Sequence, residues 1–122
     1  MININLKKFS ISNSSPFVLI AGPCVIENEI HSLTVAEELH KICDDVGVNL
    51  IFKSSFDKAN RSSINSDRGI NLDDALKIFE KIKTNFNLPI LTDVHNEDQC
   101  NQLNQDSIIA VSYTHLTLPT KA

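Results

Sequence analysis

The sequence has no apolar run long enough to cross a membrane. A spanning helix needs about 20 consecutive apolar residues, whereas the apolar runs here are as short as strands, for example Phe17 to Ala21. The opening segment, MININLKK, lacks the ordered basic, apolar and small-residue regions of a secretory signal. We therefore expect a protein that stays in the cytoplasm and has no membrane partner.

The chain is acidic overall, and its cysteines do not suggest disulfide pairs. The 122 residues carry a formal net charge of −4, which argues against nucleic acid as a partner because non-specific binding to it needs a basic surface. The three cysteines, Cys24, Cys43 and Cys100, are odd in number and widely spaced. They predict reduced thiols rather than a disulfide framework. With 42% hydrophobic residues, the chain can form one small domain.

Four short apolar runs without alternation predict strands that are buried on both faces, as in a parallel sheet. These runs are Phe17 to Ala21, Leu50 to Phe52, Ile90 to Leu91 and Ile108 to Val111. Ahead of them, alternating apolar residues followed by a polar turn predict a short β-hairpin. Its apolar residues are Ile2, Ile4, Leu6, Phe9 and Ile11.

Segments with helical spacing separate the apolar runs, so the order of elements predicts an α/β fold with right-handed crossovers. For the first helix we expect Ser32 as the N-cap and Gly47 as the C-terminal stop. The expected apolar face of this helix is Val35, Leu39, Ile42 and Val46.

Two further helices follow. In the second, Asn71 is the expected cap and Pro89 ends the segment. Its apolar positions are Leu72, Ala75, Leu76, Phe79, Ile82 and Phe86. In the third, Asn96 and Gln99 resemble a capping box that opens a helix through about Leu103.

A polar segment follows the second predicted strand: Lys53-Ser-Ser-Phe-Asp-Lys58-Ala-Asn-Arg61-Ser-Ser63. Lysines supply point charges for phosphate or carboxylate, arginine a planar fork, and serine and asparagine neutral hydrogen bonds. From Lys53 to Arg68 the chain has four basic and two acidic residues, so positive charge is concentrated here in an acidic chain. The mixture favours a site for a small ligand with anionic and hydroxyl groups, and a solvated basic loop is the alternative.

Three blocks of the sequence resemble the family of 3-deoxy-D-manno-octulosonate 8-phosphate (Kdo8P) synthases. In chain order the blocks are FVLIAGPCVIE from Phe17, FKSSFDKANRSS from Phe52 and LTDVH from Leu91. The likeness extends from about Ile2 to Ile109. KANRSS is the specific part, since related synthases that use erythrose 4-phosphate carry a Lys-Pro-Arg type motif there.

The resemblance implies a partial (β/α)8 TIM barrel, preceded by the short hairpin. A complete barrel has eight β/α units and typically about 250 residues, and this sequence provides the first three to four units. We assign residues 1–109 to this domain. Residues 110–122, AVSYTHLTLPTKA, resemble a translated sequencing adapter, so we expect this tail not to be native.

The resemblance also implies roles for polar residues at the carboxyl ends of the predicted strands, where barrel enzymes carry their reactive groups. The substrate-binding residues would be Lys53, Ser55, Lys58, Asn60, Arg61 and Ser62. The first three would hold the carboxylate and phosphate of phosphoenolpyruvate and the last three arabinose 5-phosphate. Catalytic roles would fall to Lys53, Lys58 and Asp93, while His95 would be a structural or supporting residue.

Cys24 is the candidate metal ligand. Members of the family with cysteine at this position depend on a divalent metal ion, whereas asparagine marks the metal-independent group. Thiolate is a good ligand for a divalent transition metal. The structural alternative for Cys24 is a small buried thiol at the end of a strand. The other ligands of the family come from later strands that this sequence does not contain.

The activity implied by the resemblance is the condensation of phosphoenolpyruvate with D-arabinose 5-phosphate, for lipopolysaccharide synthesis. In the family the sugar phosphate is held partly across a subunit boundary, so a homo-oligomer is implied. Two alternatives remain open. The chain is an inactive fragment of such an enzyme, or it belongs to a 3-deoxy-heptulosonate 7-phosphate synthase that uses erythrose 4-phosphate.

Overall fold

The computed structural model describes residues 2–57, 70–105 and 108–111. Within these ranges a small hairpin precedes strands that alternate with helices, as the sequence predicts. The elements are β1 (Ile4–Asn5), β2 (Ser10–Ile11), β3 (Val18–Ala21), α1 (Glu29–Val46), β4 (Asn49–Lys53), α2 (Leu72–Phe86), β5 (Ile90–Asp93), α3 (Glu97–Gln105) and β6 (Ile109–Val111).

Strands β3 to β6 form a parallel sheet in which neighbours in sequence are neighbours in space, in the order β3-β4-β5-β6. Ala21 pairs with Phe52, and Phe52 pairs in turn with Ile90. Asp93 pairs with Val111 at the far side of the sheet. The predicted α/β class and the parallel sheet are confirmed. Because the strands are parallel and in register, their carboxyl ends lie along one edge.

The hairpin of β1 and β2 is short and antiparallel, with Ile4 opposite Ile11. The amide of Leu6 donates to the carbonyl of Phe9 at 2.8 Å and closes the turn. Of the predicted tail, Ala110 and Val111 belong to β6. The rest of the tail lies outside the described residues.

The main hydrophobic core is shared by one face of the sheet and helices α1 and α2. Phe52 and Ile90, which pair across β4 and β5, belong to this core. Ile51 and Leu91 are also buried, but outside that cluster. Successive side chains of a strand point to opposite faces, so Lys53 shares the face of Ile51. This second face therefore ends in polar side chains at the carboxyl edge.

Helix α2 packs as its spacing predicts. Its buried residues are Ala75, Ile78, Phe79 and Ile82. The side chain of Asn71 caps the helix by accepting from the amide of Asp74 at 2.9 Å, and Pro89 follows its end. Between the two long helices, Lys81 Nζ lies 2.7 Å from Glu29 Oε2.

Helix α1 differs from the prediction in its start and its buried face. Asn28, not Ser32, is the N-cap, and its side chain accepts from the amide of His31 at 2.8 Å. Ser32 lies inside the helix and is fully buried, as is Ala36. These small side chains allow close packing of the helix, whereas the predicted face residues Ile42 and Val46 are 56% and 66% exposed.

The ends of α1 and α3 confirm two other predictions. Gly47 ends α1 with φ of 74°, in the left-handed region that favours glycine. Asn96 caps α3 by accepting from the amide of Gln99 at 2.9 Å. The reciprocal bond of a capping box is shifted by one residue, because Gln99 Oε1 accepts from the amide of His95 at 2.8 Å.

In the described ranges, none of the helices combines the length and apolar character that crossing a membrane requires.

A methyl group at Gly22 should destabilise the fold more than one at Gly47. At Gly22 an added Cβ would lie 1.9 Å from the carbonyl oxygen of Lys53, so Gly22→Ala must force two strand ends apart. We expect a loss of about 3 kcal/mol in the free energy of unfolding, as for severe overpacking.

Gly47→Ala is the matched control, because its Cβ would have no atom within 4 Å and only the positive φ is strained. The expected loss is about 1 to 2 kcal/mol. Urea unfolding followed by circular dichroism measures both, and a smaller loss for Gly22→Ala would contradict the steric argument.

Candidate active site

The carboxyl edge of the sheet brings together four residues that the sequence predicts as functional. Cys24 follows β3, Lys53 ends β4, Ser55 follows β4, and Asp93 ends β5. Cys24 and Lys53 are exposed, while Asp93 is only 4% exposed. The edge thus combines an accessible amine and thiol with a carboxyl group held inside the protein.

The backbones after β3 and β4 stay paired beyond the strands themselves. The amide of Ser55 donates to the carbonyl of Cys24 at 3.1 Å, and the amide of Ile26 donates to the carbonyl of Ser55 at 2.8 Å. Val25 and Ser55 form the corresponding parallel bridge. Cys24 is therefore held beside Ser55 by main-chain hydrogen bonds.

The hydroxyl of Ser55 is engaged within its own loop. Ser55 is 7% exposed, and its Oγ accepts from the amide of Asp57 at 3.2 Å. The same oxygen lies 3.1 Å from the Asp57 carbonyl, to which its hydroxyl donates. These local bonds form a tight turn directly after the strand that carries Lys53.

His95 joins β5 to the turn that follows β4. Its Nε2 lies 3.1 Å from Asp93 Oδ2 and 2.9 Å from the carbonyl oxygen of Asp57. A carbonyl oxygen can only accept a hydrogen bond, so Nε2 carries the hydrogen. The ring also meets Phe56 edge-on, with centroids 6.0 Å apart. His95 thus holds both the Asp93 side chain and the backbone of Asp57, which fits its predicted supporting role.

The three cysteines lie in different environments. Cys43 is buried in the core, as predicted, and burial raises the pKa of its thiol, with the Asp44 carboxylate adding to the effect. Cys24 and Cys100 are exposed. The structural alternative for Cys24, a small buried thiol, is therefore wrong. Cys24 presents its thiol at the carboxyl edge.

Cys24 is suited to be one ligand of a soft divalent metal, because sulfur is a good ligand for such ions and this side chain is exposed. A complete site needs about three or four ligands. In the ranges that the structure describes, no group of three or more histidine, cysteine, aspartate or glutamate side chains could hold a metal ion. Within these ranges Cys24 is therefore a candidate for one ligand and does not form a complete site.

Four predicted substrate-binding residues lie outside the described residues: Lys58, Asn60, Arg61 and Ser62. Two residues that the sequence analysis did not single out, Ser54 and Thr92, are buried at the carboxyl edge of the sheet. A hydroxyl in a strand that is buried on both faces needs an internal partner. That requirement is the signal by which Thr92 could have been identified from the sequence.

Comparison with known proteins finds one matching family model and several similar relatives. A family model described as the DAHP synthetase I family matches residues 1–111. The 2-dehydro-3-deoxyphosphooctonate aldolase of Synechococcus sp. is 53% identical over 92 residues, 75% of this chain and 32% of that protein. Those of Rickettsia bellii and Brucella anthropi are 52% and 45% identical over 97 and 98 residues, 80% of this chain and 35% of each relative. The chain spans about a third of the length of these relatives.

Removing the ring nitrogen of His95 should destabilise the protein at the carboxyl edge of the sheet. His95→Phe keeps an aromatic ring against Phe56 but leaves the Asp57 carbonyl without this donor. We expect the free energy of unfolding to fall by about 1 to 3 kcal/mol, because Nε2 lies within bonding distance of both this carbonyl and the buried Asp93 carboxylate.

The matched variant is His95→Gln, whose side-chain amide can still donate and should recover part of the loss. Urea unfolding measures both variants. Equal stability of the phenylalanine variant and the parent would show that the bond to Asp57 contributes nothing.

Proposed function

Because the chain belongs to the DAHP synthetase I family, we propose that it forms part of a 3-deoxy-8-phosphooctulonate synthase. The reaction condenses phosphoenolpyruvate with D-arabinose 5-phosphate to 3-deoxy-D-manno-octulosonate 8-phosphate and inorganic phosphate. The observation that carries the proposal is the meeting of Cys24, Lys53 and Asp93 at the ends of three adjacent parallel strands. The names of the relatives support the choice of product.

The proposed architecture is the first part of a (β/α)8 barrel. In an open doubly wound sheet the strand order reverses at a switch point. Here the order β3-β4-β5-β6 advances without reversal, as in a sheet that closes on itself. The hairpin of β1 and β2 would lie ahead of the first barrel strand, and the later strands would come from the rest of a full-length enzyme.

Charge and burial support the proposed roles in substrate binding. Lys53 is exposed at the end of β4, where its amine can meet the carboxylate or phosphate of phosphoenolpyruvate. Ser55 and Lys58 would complete this half of the site. Arabinose 5-phosphate would bind to the following residues of the same segment: Asn60, Arg61 and Ser62.

The chemistry joins C3 of phosphoenolpyruvate to the aldehyde carbon of the sugar, while water adds at C2. Collapse of this intermediate forms the C2 ketone and expels inorganic phosphate. Lys53 and Lys58 would neutralise and orient phosphoenolpyruvate, which favours reaction through proximity and charge stabilisation. Asp93, held by His95 at 3.1 Å, would face the sugar with its carboxyl oxygen already oriented.

We propose Cys24 as one ligand of a divalent metal ion, completed by residues from later parts of a full-length enzyme. Its exposure at the carboxyl edge supports this role. When bound, such an ion would supply Lewis-acid polarisation of a carbonyl or of water.

The remaining proposals concern the setting of the enzyme. We propose a homo-oligomer, since the resembling family shares its sugar-phosphate site between subunits, and a place in lipopolysaccharide synthesis. A cytoplasmic location is consistent with Cys24, Cys43 and Cys100, which form no disulfide among the described residues.

Two alternatives have specific support. The description of the matching family model favours a heptulosonate-phosphate synthase that uses erythrose 4-phosphate. The coverage of only about a third of each relative favours an inactive fragment. Activity with erythrose 4-phosphate instead of arabinose 5-phosphate would distinguish the first alternative from the proposed function. The presence or absence of turnover by the 122-residue chain tests the second.

A chimera gives a direct test of the function. Residues 1–109 replace the matching segment of the Synechococcus relative, and phosphate release is measured with arabinose 5-phosphate or erythrose 4-phosphate. We expect turnover with arabinose 5-phosphate only, and none from the 122-residue chain alone. Preference for erythrose 4-phosphate, or a folded chimera without turnover, would contradict the proposed function.

In the same chimera, Lys53→Ala should lower kcat/KM at least about 100-fold through loss of a charge that stabilises the reacting groups. Lys41→Ala is the matched control, because Lys41 is an exposed lysine on α1 that pairs only loosely with Glu37 at 3.6 Å. Equal activity of the two variants would show that Lys53 does not belong to the active site.

Metal content tests the role of Cys24 independently of turnover. In the chimera, Cys24→Ala should reduce the metal bound per chain at least about tenfold, since loss of one ligand strongly weakens a site. Cys100→Ala removes another exposed thiol, on α3, and should leave the metal content unchanged. Equal metal content in both variants would exclude Cys24 as a ligand.

A further inference from the structure

Two fully buried hydroxyl groups link the three strand ends that carry the candidate active site. Thr92 is 0% exposed and Ser54 is 1% exposed. Thr92 lies directly before Asp93, and Ser54 lies between Lys53 and Ser55. Each hydroxyl therefore sits one position away from residues that the proposed function uses.

The hydroxyls form a chain of donors that runs across the edge of the sheet. Thr92 Oγ1 donates to the carbonyl of Ser54 at 2.6 Å, which connects β5 to the end of β4. Ser54 Oγ donates to the carbonyl of Pro23 at 2.8 Å, which connects the end of β4 to the end of β3. We call this the hydroxyl relay, meaning Thr92, Ser54 and the two carbonyls that they bond.

The relay holds the peptide groups next to the proposed functional side chains. The Pro23 carbonyl belongs to the peptide bond that leads into Cys24, and the Ser54 carbonyl belongs to the bond that leads into Ser55. The carbonyl of Cys24 accepts in addition from the amide of Ser55 at 3.1 Å. The peptide group before Cys24 and the peptide group after it are therefore both held by hydrogen bonds.

The two hydroxyls add side-chain bonds to the main-chain hydrogen bonds that continue past the regular pairing of the strands. The register of β3 with β4 ends at Ala21 and Phe52, and that of β4 with β5 ends at Lys53 and Leu91. Beyond those pairs the amide of Ser54 donates to the carbonyl of Leu91 at 3.3 Å and the amide of Ser55 to the carbonyl of Cys24 at 3.1 Å, so the two hydroxyls reinforce strand ends that main-chain bonds also hold. A hydroxyl buried in the protein bonds at little entropic cost to a carbonyl that already lies nearby.

We propose that Thr92 and Ser54 are positioning residues that set the spacing of Cys24, Lys53 and Asp93. The proposal rests on the proposed function for what these three residues do, but the relay itself is a property of the fold. The two hydroxyls touch no substrate. They act through the peptide groups that carry the functional side chains.

The test compares three variants of the full 122-residue chain by amide hydrogen exchange. Thr92→Val and Ser54→Ala remove one hydroxyl each, and Thr92→Ser keeps the hydroxyl. In the first two we expect exchange at the amides of Ser55 and Ile26 to become about tenfold faster, as local opening follows the loss of one hydrogen bond. Thr92→Ser should retain the slow exchange of the parent chain.

Amides of helix α2 serve as the internal reference, because this helix packs away from the edge in the main core. Unchanged exchange at Ser55 and Ile26 would overturn the proposal. An equal acceleration in α2 would also overturn it, because the hydroxyls would then support the whole fold and not the edge.

Turnover in the chimera supplies a second readout. Thr92→Val should lower kcat about tenfold with little change in KM for either substrate, since misplaced groups lose transition-state contacts. Thr92→Ser should restore kcat. A change confined to KM would contradict a positioning role. Because the exchange measurement needs no turnover, an inactive chimera would count against the proposed function and leave the relay to be decided by exchange.

Discussion

The close approach of the strand ends after β3 and β4 is the constraint on which the rest of the edge depends. Gly22 lies against the carbonyl group of Lys53 so tightly that an added Cβ would be 1.9 Å from its oxygen. This contact brings the Pro23 and Cys24 peptide groups within reach of Ser54 and Ser55. The hydrogen bonds that join the segments after β3 and β4 require that distance, so the site depends on the absence of a side chain at Gly22.

The fold was predictable because its parallel sheet consists of strands with continuous apolar sequence. Short runs such as Leu50 to Phe52 identify the interior of each strand, but the polar ends, Asn49 and Lys53, carry no such signal. Helix α2 was equally clear because its apolar residues are large. The prediction for the buried face of helix α1 is wrong because the helix packs through Ser32 and Ala36, whose small side chains give no strong apolar signal.

The site was predictable only in part, for a different physical reason. Polar residues at strand ends are visible in the sequence, so Cys24, Lys53 and Asp93 could be assigned to one edge before the fold was known. The contact of His95 with Asp57 joins residues 38 positions apart and depends on how two strands are staggered. The bond from Thr92 to Ser54 spans the same separation. Local patterns carry no information about such contacts.

The raised pKa of the Cys43 thiol has a practical consequence for chemical labelling. A thiol alkylates through its thiolate form, so a buried thiol with a raised pKa reacts slowly near neutral pH. Maleimide reagents should therefore modify Cys24 and Cys100, whose side chains are exposed, and spare Cys43. With Cys100 replaced, a single fluorophore would report from the carboxyl edge itself.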